Sequence, residues 1–411
     1  MTRDISGRFR LPAFLVSPGR SLRSRPEIIK SALLIMAAIV IGTIGWSGNP
    51  FLLAVAMLFP ALWAMASTRV GAALVAAGYF LAASHGLPQG VINFYGGGIG
   101  AGLALWVVAS AGFVLVHAVL WTGRPGWGRA ARYGIAMVLM SLPPFGIVGW
   151  AHPITGAGMV FSGWGWPGLV AAAIGLLAMT TRFWSLTTLA IAVLYLWSAA
   201  AWMPPDVPDG WVGVDTRFRG ESGQYADYAQ QVETINLVMD AAEDGARVVV
   251  LPESSAGIWT PTTARLWGRA FNDHGLTVIA GAIIVDAAGY DNVMVEISGK
   301  GSRVLYRERM PVPVSMWQPW RRLVGERAGA RAHFFDNPVV EIDGHRVAPL
   351  ICYEQLIIWP ILQSALHSPD VIVATGNGWW TENTNIVAIQ RASATAWARL
   401  FSLPLIISFN S

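Results

Sequence analysis

Between Glu27 and Asp206 the chain carries no aspartate or glutamate, and its only lysines and arginines there are Lys30, Arg69, Arg124, Arg129, Arg132 and Arg182. A water-exposed surface of that length cannot stay so nearly uncharged, so this half of the chain must face lipid. The composition agrees: the 411 residues are 54% hydrophobic and 13% charged, with 20 tryptophans. Seven apolar stretches are expected as spanning helices, at 28–46, 51–66, 70–83, 97–121, 133–150, 167–180 and 183–202. A helix satisfies its own backbone, as lipid requires. The third and sixth are the shortest against the roughly 20 residues that cross a hydrocarbon core.

The cations give an orientation. Arg20, Arg23, Arg25 and Lys30 precede or open the first stretch, Arg69 lies between the second and third, Arg124, Arg129 and Arg132 follow the fourth, and Arg182 follows the sixth. The alternate connections, 47–50, 84–96 and 151–166, contain no lysine or arginine. Positive charge stays on the cytoplasmic side, so a basic N-terminal segment (1–27) is expected in the cytoplasm. With an odd number of spans, everything after Trp202 lies outside the inner membrane, in the periplasm. The first stretch has no small-residue cleavage site behind it and reads as a retained anchor. The formal charge of +4 is explained by this anchoring, and no groove-reading motif accompanies it, so nucleic acid is not an expected partner.

Within the bundle (28–202), Gly96, Gly97, Gly98, Gly100 and Gly102 would let the fourth span approach a neighbour closely. His117 lies well inside a span, where a functional role and a hydrogen bond to a neighbouring helix are both open readings. Pro143-Pro144 is expected to kink the fifth span. The loop holding His152-Pro153 and Gly163-Trp164-Gly165-Trp166 fits either an interfacial belt or a surface facing the C-terminal half.

A stiff, proline-rich linker at 203–210 precedes about 200 residues of ordinary soluble composition at 211–411. There, apolar β-branched runs such as 247–251, 276–284, 346–352 and 371–374 alternate with helical patterns at 228–243, 264–274, 355–366 and 386–400. Further strands are expected at 211–214, 292–297, 303–306 and 403–409. That alternation indicates an α/β layered domain. Two strand ends carry chemistry: Leu251-Pro252-Glu253, and Ile351-Cys352-Tyr353-Glu354, which holds the chain's single cysteine. Alone, such a glutamate is usually a solvated loop residue and such a cysteine a small buried hydrophobe. Together they form a possible thiol nucleophile and base, because a carboxylate whose affinity for protons burial has raised can accept a thiol proton. One cysteine allows no intrachain disulfide. There is no His-Glu-x-x-His, Cys-x-x-Cys, Gly-x-Ser-x-Gly or phosphate-loop motif, so neither a metal nor another cofactor is implied.

Val250-Leu251-Pro252-Glu253, Tyr306 with Val312-Pro313, Ile351-Cys352-Tyr353-Glu354 and Gly376-Asn377-Gly378-Trp379-Trp380 resemble, in order and spacing, the nitrilase or carbon–nitrogen hydrolase superfamily. With the apolar half added, the chain is similar to apolipoprotein N-acyltransferase. It resembles still more closely the conjugal-transfer TraB proteins of plasmids, through 306–313, 315–320 and 328–335. The resemblance implies a four-layer αββα sandwich, a Glu–Lys–Cys triad and a thioester acyl-enzyme. It makes Glu253 the general base, Cys352 the nucleophile and Glu354 a supporting carboxylate.

Two positions depart from that pattern. The family lysine falls at Glu308, and the supporting glutamate of Val-Pro-Phe-Gly-Glu falls at Met316. The sheet elements and last span of the acyltransferase also have no counterpart before Ser411. Acyl transfer needs positive charge or donors where the oxyanion forms. Arg309 is the expected substitute, provided a strand bulge turns it to the Glu308 side, since strand neighbours otherwise point oppositely. Two functions follow. One is a thiol enzyme acting on a membrane lipid or membrane-linked protein; the other is a catalytically silent scaffold of a conjugative transfer apparatus. Transporter-like roles for the bundle rank below both.

Overall fold

The computed structural model describes residues 25–218, 226–272, 274–326 and 329–411. Arg20, Arg23 and Ala328, used in the sequence reading, lie outside them. The first half is helical: α1 (Arg25–Gly45), α2 (Phe59–Met65), α3 (Arg69–Ala83), α4 (Leu87–Tyr95), α5 (Ile99–Leu120), α6 (Trp127–Leu139), α7 (Ala157–Val160), α8 (Gly165–Met179) and α9 (Trp184–Ala201), with 3-10 segments at Pro50–Leu58, Phe145–Val148 and Pro153–Gly156.

Seven separate spanning helices are not what these residues form. Among the described residues three helices, α1, α5 and α9, are long and apolar enough to cross a membrane, and α3 with α4 makes a fourth only as a pair bent by 52°. The other apolar stretches break for local reasons. Pro50 opens a 3-10 segment just before the second and Pro60 falls within it, at the start of α2, so the stretch is a 3-10 segment running into α2. In the fifth, α6 ends at Leu139, short of Pro143-Pro144, so the prolines terminate a helix where a kink was expected. The outward faces of the long helices, including Leu33, Val107, Leu115, Leu189 and Trp197, are apolar and uncovered.

His117 sits in an aromatic cage, stacked on Phe113 at 4.1 Å, with its Nδ1 2.8 Å from the Phe113 carbonyl. The ring thus hydrogen-bonds its own helix. Of the five clustered glycines, only Gly102 is needed for close approach: a Cβ there would stand 2.6 Å from the Pro88 carbonyl oxygen, while the other four face open space. The 151–166 loop faces the C-terminal half. Pro153 to Val160 are buried, the Gly163 N–H donates to the Arg399 carbonyl at 2.7 Å, and Trp166 meets Phe401 edge-on.

The second half is α/β: β1 (Trp211–Gly213), α10 (Ala226–Glu243), β2 (Val248–Val250), α11 (Pro261–Phe271), β3 (Thr277–Val285), β4 (Tyr290–Ser298), β5 (Gly301–Arg307), β6 (Val340–Ile342), β7 (His345–Ile351), α12 (Ile358–Ala365), β8 (Val371–Asn377), α13 (Ile386–Phe401) and β9 (Leu405–Asn410). One sheet has the order β1-β2-β3-β4-β5 and the other β6-β7-β8-β9. The buried valines of β2 belong to both apolar layers it touches, as a strand covered on two faces requires. Val249 packs with Val238, Trp267 and Phe271 of α10 and α11, whereas Val248 and Val250 pack with Ile351 and Val373 of the second sheet. The other face of that sheet, through Ala348, Leu350 and Ala374, meets Trp397 of α13 and continues without a break into the bundle core at Trp46, Met57 and Phe59. The layers are therefore helices, sheet, sheet, helices, with the last helical layer shared with the bundle.

Candidate active site

Three strand ends converge where the two halves meet. After β2, Pro252 cannot donate to the ladder and the chain turns away at Glu253. The turn lies directly against β3 because position 281 is glycine; a Cβ there would stand 2.5 Å from the Glu253 Cα. After β7 the chain enters a short 3-10 turn at Cys352, whose φ of 46° lies in the left-handed region, which side chains other than glycine rarely adopt. Such strain persists where surrounding structure enforces it, and it is found preferentially at functional positions. After β5, the Glu308 N–H donates to the Asn292 carbonyl at 2.9 Å, which holds Glu308 beside β4.

Glu253 and Cys352 are both buried. Glu253 Oε1 accepts from Asn292 Nδ2 at 2.7 Å, while Oε2 has no partner at hydrogen-bonding distance. Burial raises the proton affinity of Glu253, and Asn292, the Cys352 thiol and the Asn377 main chain counter it. Burial likewise pushes the Cys352 thiol well above its ordinary range, and the negative charges of Glu253 and Glu308 push it further. Gln390 of α13 donates to the sulfur at 3.5 Å. The group at rest is a thiol, and it becomes a nucleophile only when a base removes its proton.

Glu354 stands behind the nucleophile and is fully buried. It accepts from Tyr306 Oη at 2.7 and 2.8 Å, from the N–H groups of Arg309 and Ile351 at 2.7 Å each, and from the Met310 N–H at 3.2 Å. These bonds tie the ends of β5 and β7 together. Arg309 belongs to this cluster and does not face the cavity. Its guanidinium donates to Tyr306 Oη at 2.8 Å and to Gln363, Ser364 and the Pro349 carbonyl at 3.1 Å, with Glu354 at 3.9 Å. The register shift in β5 lies earlier, opposite Met294/Val295, so it does not swing Arg309 round. Arg307 pairs with Asp291 on the outer side. Glu308 occupies the side between them, fully buried, with Oε2 accepting from Asn292 Nδ2 at 2.9 Å and Oε1 unpartnered. Burial and the charges of Glu253 and Glu354 raise its proton affinity well above the carboxylate norm.

Asn292 and Gln390 were not singled out from sequence. The available signal was a polar amide at an apolar position, Asn292 beside Val293 in β4 and Gln390 beside Ile389 in α13. Cys352 and Glu253 open onto a cavity of about 380 Å³ between the halves. Its far wall is Leu87, Val91, Phe94, Leu105 and Val108 of α4 and α5, and Trp380 closes it on the α/β side.

A carbon–nitrogen hydrolase family model matches residues 260–399, which hold Cys352, Glu308 and Glu354 but not Glu253. Along its whole length the chain is 52% identical, over 421 aligned residues, to the conjugal transfer protein TraB of Agrobacterium fabrum, covering 100% of both. The chain belongs to the TraB family of conjugal transfer proteins. A probable conjugal transfer protein TraB of Sinorhizobium fredii is 56% identical over 387 residues, covering 94% of this chain and 100% of that one. Among solved structures, a variant of a nitrilase-superfamily amidase from Nesterenkonia is similar at 16% identity and a TM-score of 0.36, over 50% of this chain and 78% of that one.

Proposed function

We propose that this TraB-family protein is a membrane-anchored thiol acyl hydrolase or acyltransferase serving conjugal transfer. Its helical half (28–202) anchors it in the inner membrane with the N-terminus cytoplasmic, the 203–210 linker leaves the bundle, and the 211–411 domain stands in the periplasm. Glu253 takes the Cys352 proton, the sulfur attacks a carbonyl carbon, and the leaving group departs to give a thioester. Water or an amine then attacks the thioester and regenerates the thiol. The observation that carries this reading is the cavity: the nucleophile and base open onto a space whose far wall is apolar side chains of the bundle. Such a wall fits a hydrocarbon chain and offers little to a polar metabolite.

The reading is tested with N-alkyl maleimides of increasing chain length. Cys352 is the only cysteine, so labelling reports on one site. The rate is expected to rise with chain length as methylenes enter the cavity, by about 0.8 kcal/mol per buried CH₂ at most. Equal rates for short and long chains in bilayer-embedded protein would remove the acyl chain from the proposal. The second reading, a silent scaffold of the transfer apparatus, draws on one observation: among the described residues no lysine or arginine makes a hydrogen bond or ion pair to Glu253, Glu308 or Cys352.

A further inference from the structure

The site contains a buried carboxyl for which the thiol mechanism has no use. Glu253 and Glu308 are joined by a single amide nitrogen, Asn292 Nδ2, at 2.7 and 2.9 Å. Both are buried, each keeps one oxygen without a partner, and the side-chain Oδ1 of Asn292 is likewise unpartnered. Cys352 follows β7, and Glu354 beyond it is held by Tyr306 and Arg309. Tyr290 of β4 has its hydroxyl pushed up to about 12 by burial and by the charges of Glu308 and Glu253. Asp291, next to Asn292, points to the opposite face and is ion-paired with Arg307 and Arg331, with His333 Nε2 3.0 Å away. The α13 and β8 sides offer Gln390 and Asn377, which are neutral.

Two buried carboxylates a few ångströms apart, with one shared donor and, among the described residues, no cation bonded to either, cannot both be charged near neutral pH. We propose that Glu253 and Glu308 together carry one negative charge, with Glu308 the neutral carboxylic acid, and that Glu308 is a positioning residue which, through Asn292, sets the pH range over which Glu253 accepts the Cys352 proton. The asymmetry follows from surroundings. Glu253 borders the cavity and has the thiol and the Asn377 main chain to favour its charge, whereas Glu308 is sealed away with Asn292 as its one side-chain donor. A neutral acid removes the conflict that a lysine-to-glutamate exchange would otherwise create. When Glu308 ionises as pH rises, its charge falls beside the thiol and opposes thiolate formation.

This inference rests on Cys352 and Glu253 being the reactive pair, and its test needs no acyl substrate. The full-length protein in lipid nanodiscs is alkylated with iodoacetamide: the S–C bond forms, iodide leaves, and the thiol proton passes to Glu253. Rates are measured from pH 5 to pH 10 for wild type, Glu308→Gln and Glu253→Gln. The alkaline rise in rate is expected about one pH unit or more lower in Glu308→Gln, because the opposing charge is gone. Superimposable wild-type and Glu308→Gln profiles in folded protein would overturn the proposal, as would a folded Glu308→Gln protein unreactive at every pH, which would make Glu308 itself the base. Should Glu308→Gln not fold, the infrared spectrum of wild type still decides: a protonated, buried carboxyl band at neutral pH is expected, and its absence contradicts a neutral Glu308.

Discussion

Burial, with the charge of the neighbouring carboxylates when they are ionised, keeps the Cys352 thiol protonated well above its ordinary range, so its reactivity depends on proton transfer to a base. Cys352→Ala is expected to abolish labelling by the maleimides. Glu253→Gln is expected to slow it about 10²- to 10⁴-fold with an unchanged melting temperature, read by labelling beside a thermal melt. Arg309 predicts differently. Removing it leaves Glu354 buried without the one cation that neighbours it among the described residues, so Arg309→Met is expected to destabilise the fold by about 3–5 kcal/mol. Glu308 adds a pH signature to stability. Its proton affinity is raised in the folded state, so its contribution is fully present below the ordinary carboxyl value of 4.5 and is lost as pH rises toward the folded value. The melting temperature should therefore fall over that window, and Glu308→Gln should flatten the fall. The sequence made the proposed nucleophile and base legible as neighbours because each follows an apolar strand directly. The use of Arg309 was not legible, since alternation gives the face of a side chain but not the partners a neighbouring sheet supplies. Asn292 was hidden for the same reason: its significance lies in two carboxylates that are distant in sequence.

At the scale of elements, β-branched runs and helical periodicity located eight of the nine strands and all four helices of the α/β half to within a few residues. The strand that was missed, β6, is three residues long and pairs with β7 across an Asp343-Gly344 turn with both residues at positive φ. The turn signal was present, but the strand is too short to show alternation. In the helical half, hydropathy marked seven apolar segments but left α4 inside the 84–96 connection and did not show where prolines would end helices, and so gave seven spans where, among the described residues, three helices and one bent pair have the length. The junction between the halves rests on close backbone contact: a Cβ on Gly158 of α7 would collide with the Ala396 main chain of α13. Gly158→Val is expected to cost at least about 1–3 kcal/mol and to loosen α13, measured as faster proteolysis of the α/β half. Gly100→Ala is the contrasting case. That position in α5 faces open space, so the exchange should leave stability equal or raise it by up to about 1 kcal/mol.

For the whole molecule, position is the functional statement. The Cys352 thiol lies where the α/β domain rests on the apolar bundle, and Tyr353, next to it, donates its hydroxyl to the Ile147 carbonyl of that bundle at 2.6 Å. Asn385 reaches the Trp46 carbonyl at 3.0 Å and Asn93 reaches the Trp380 carbonyl at 2.9 Å, so both walls of the cavity are fixed to each other. With the basic connections on one side, alkaline phosphatase fused after Trp202 is expected to be active, and strong signal from a reporter that works only in the cytoplasm would reverse the orientation. The most direct measurement of the central claim is intact-protein mass spectrometry of full-length wild type and Cys352→Ala after incubation with bilayers of native membrane lipids. An added mass equal to a fatty acyl group, present in wild type, absent in Cys352→Ala and released by hydroxylamine, is the predicted result. An unmodified wild-type mass across lipid classes, from protein whose Cys352 still reacts with maleimide, would contradict the acyl-enzyme and leave the scaffold as the function.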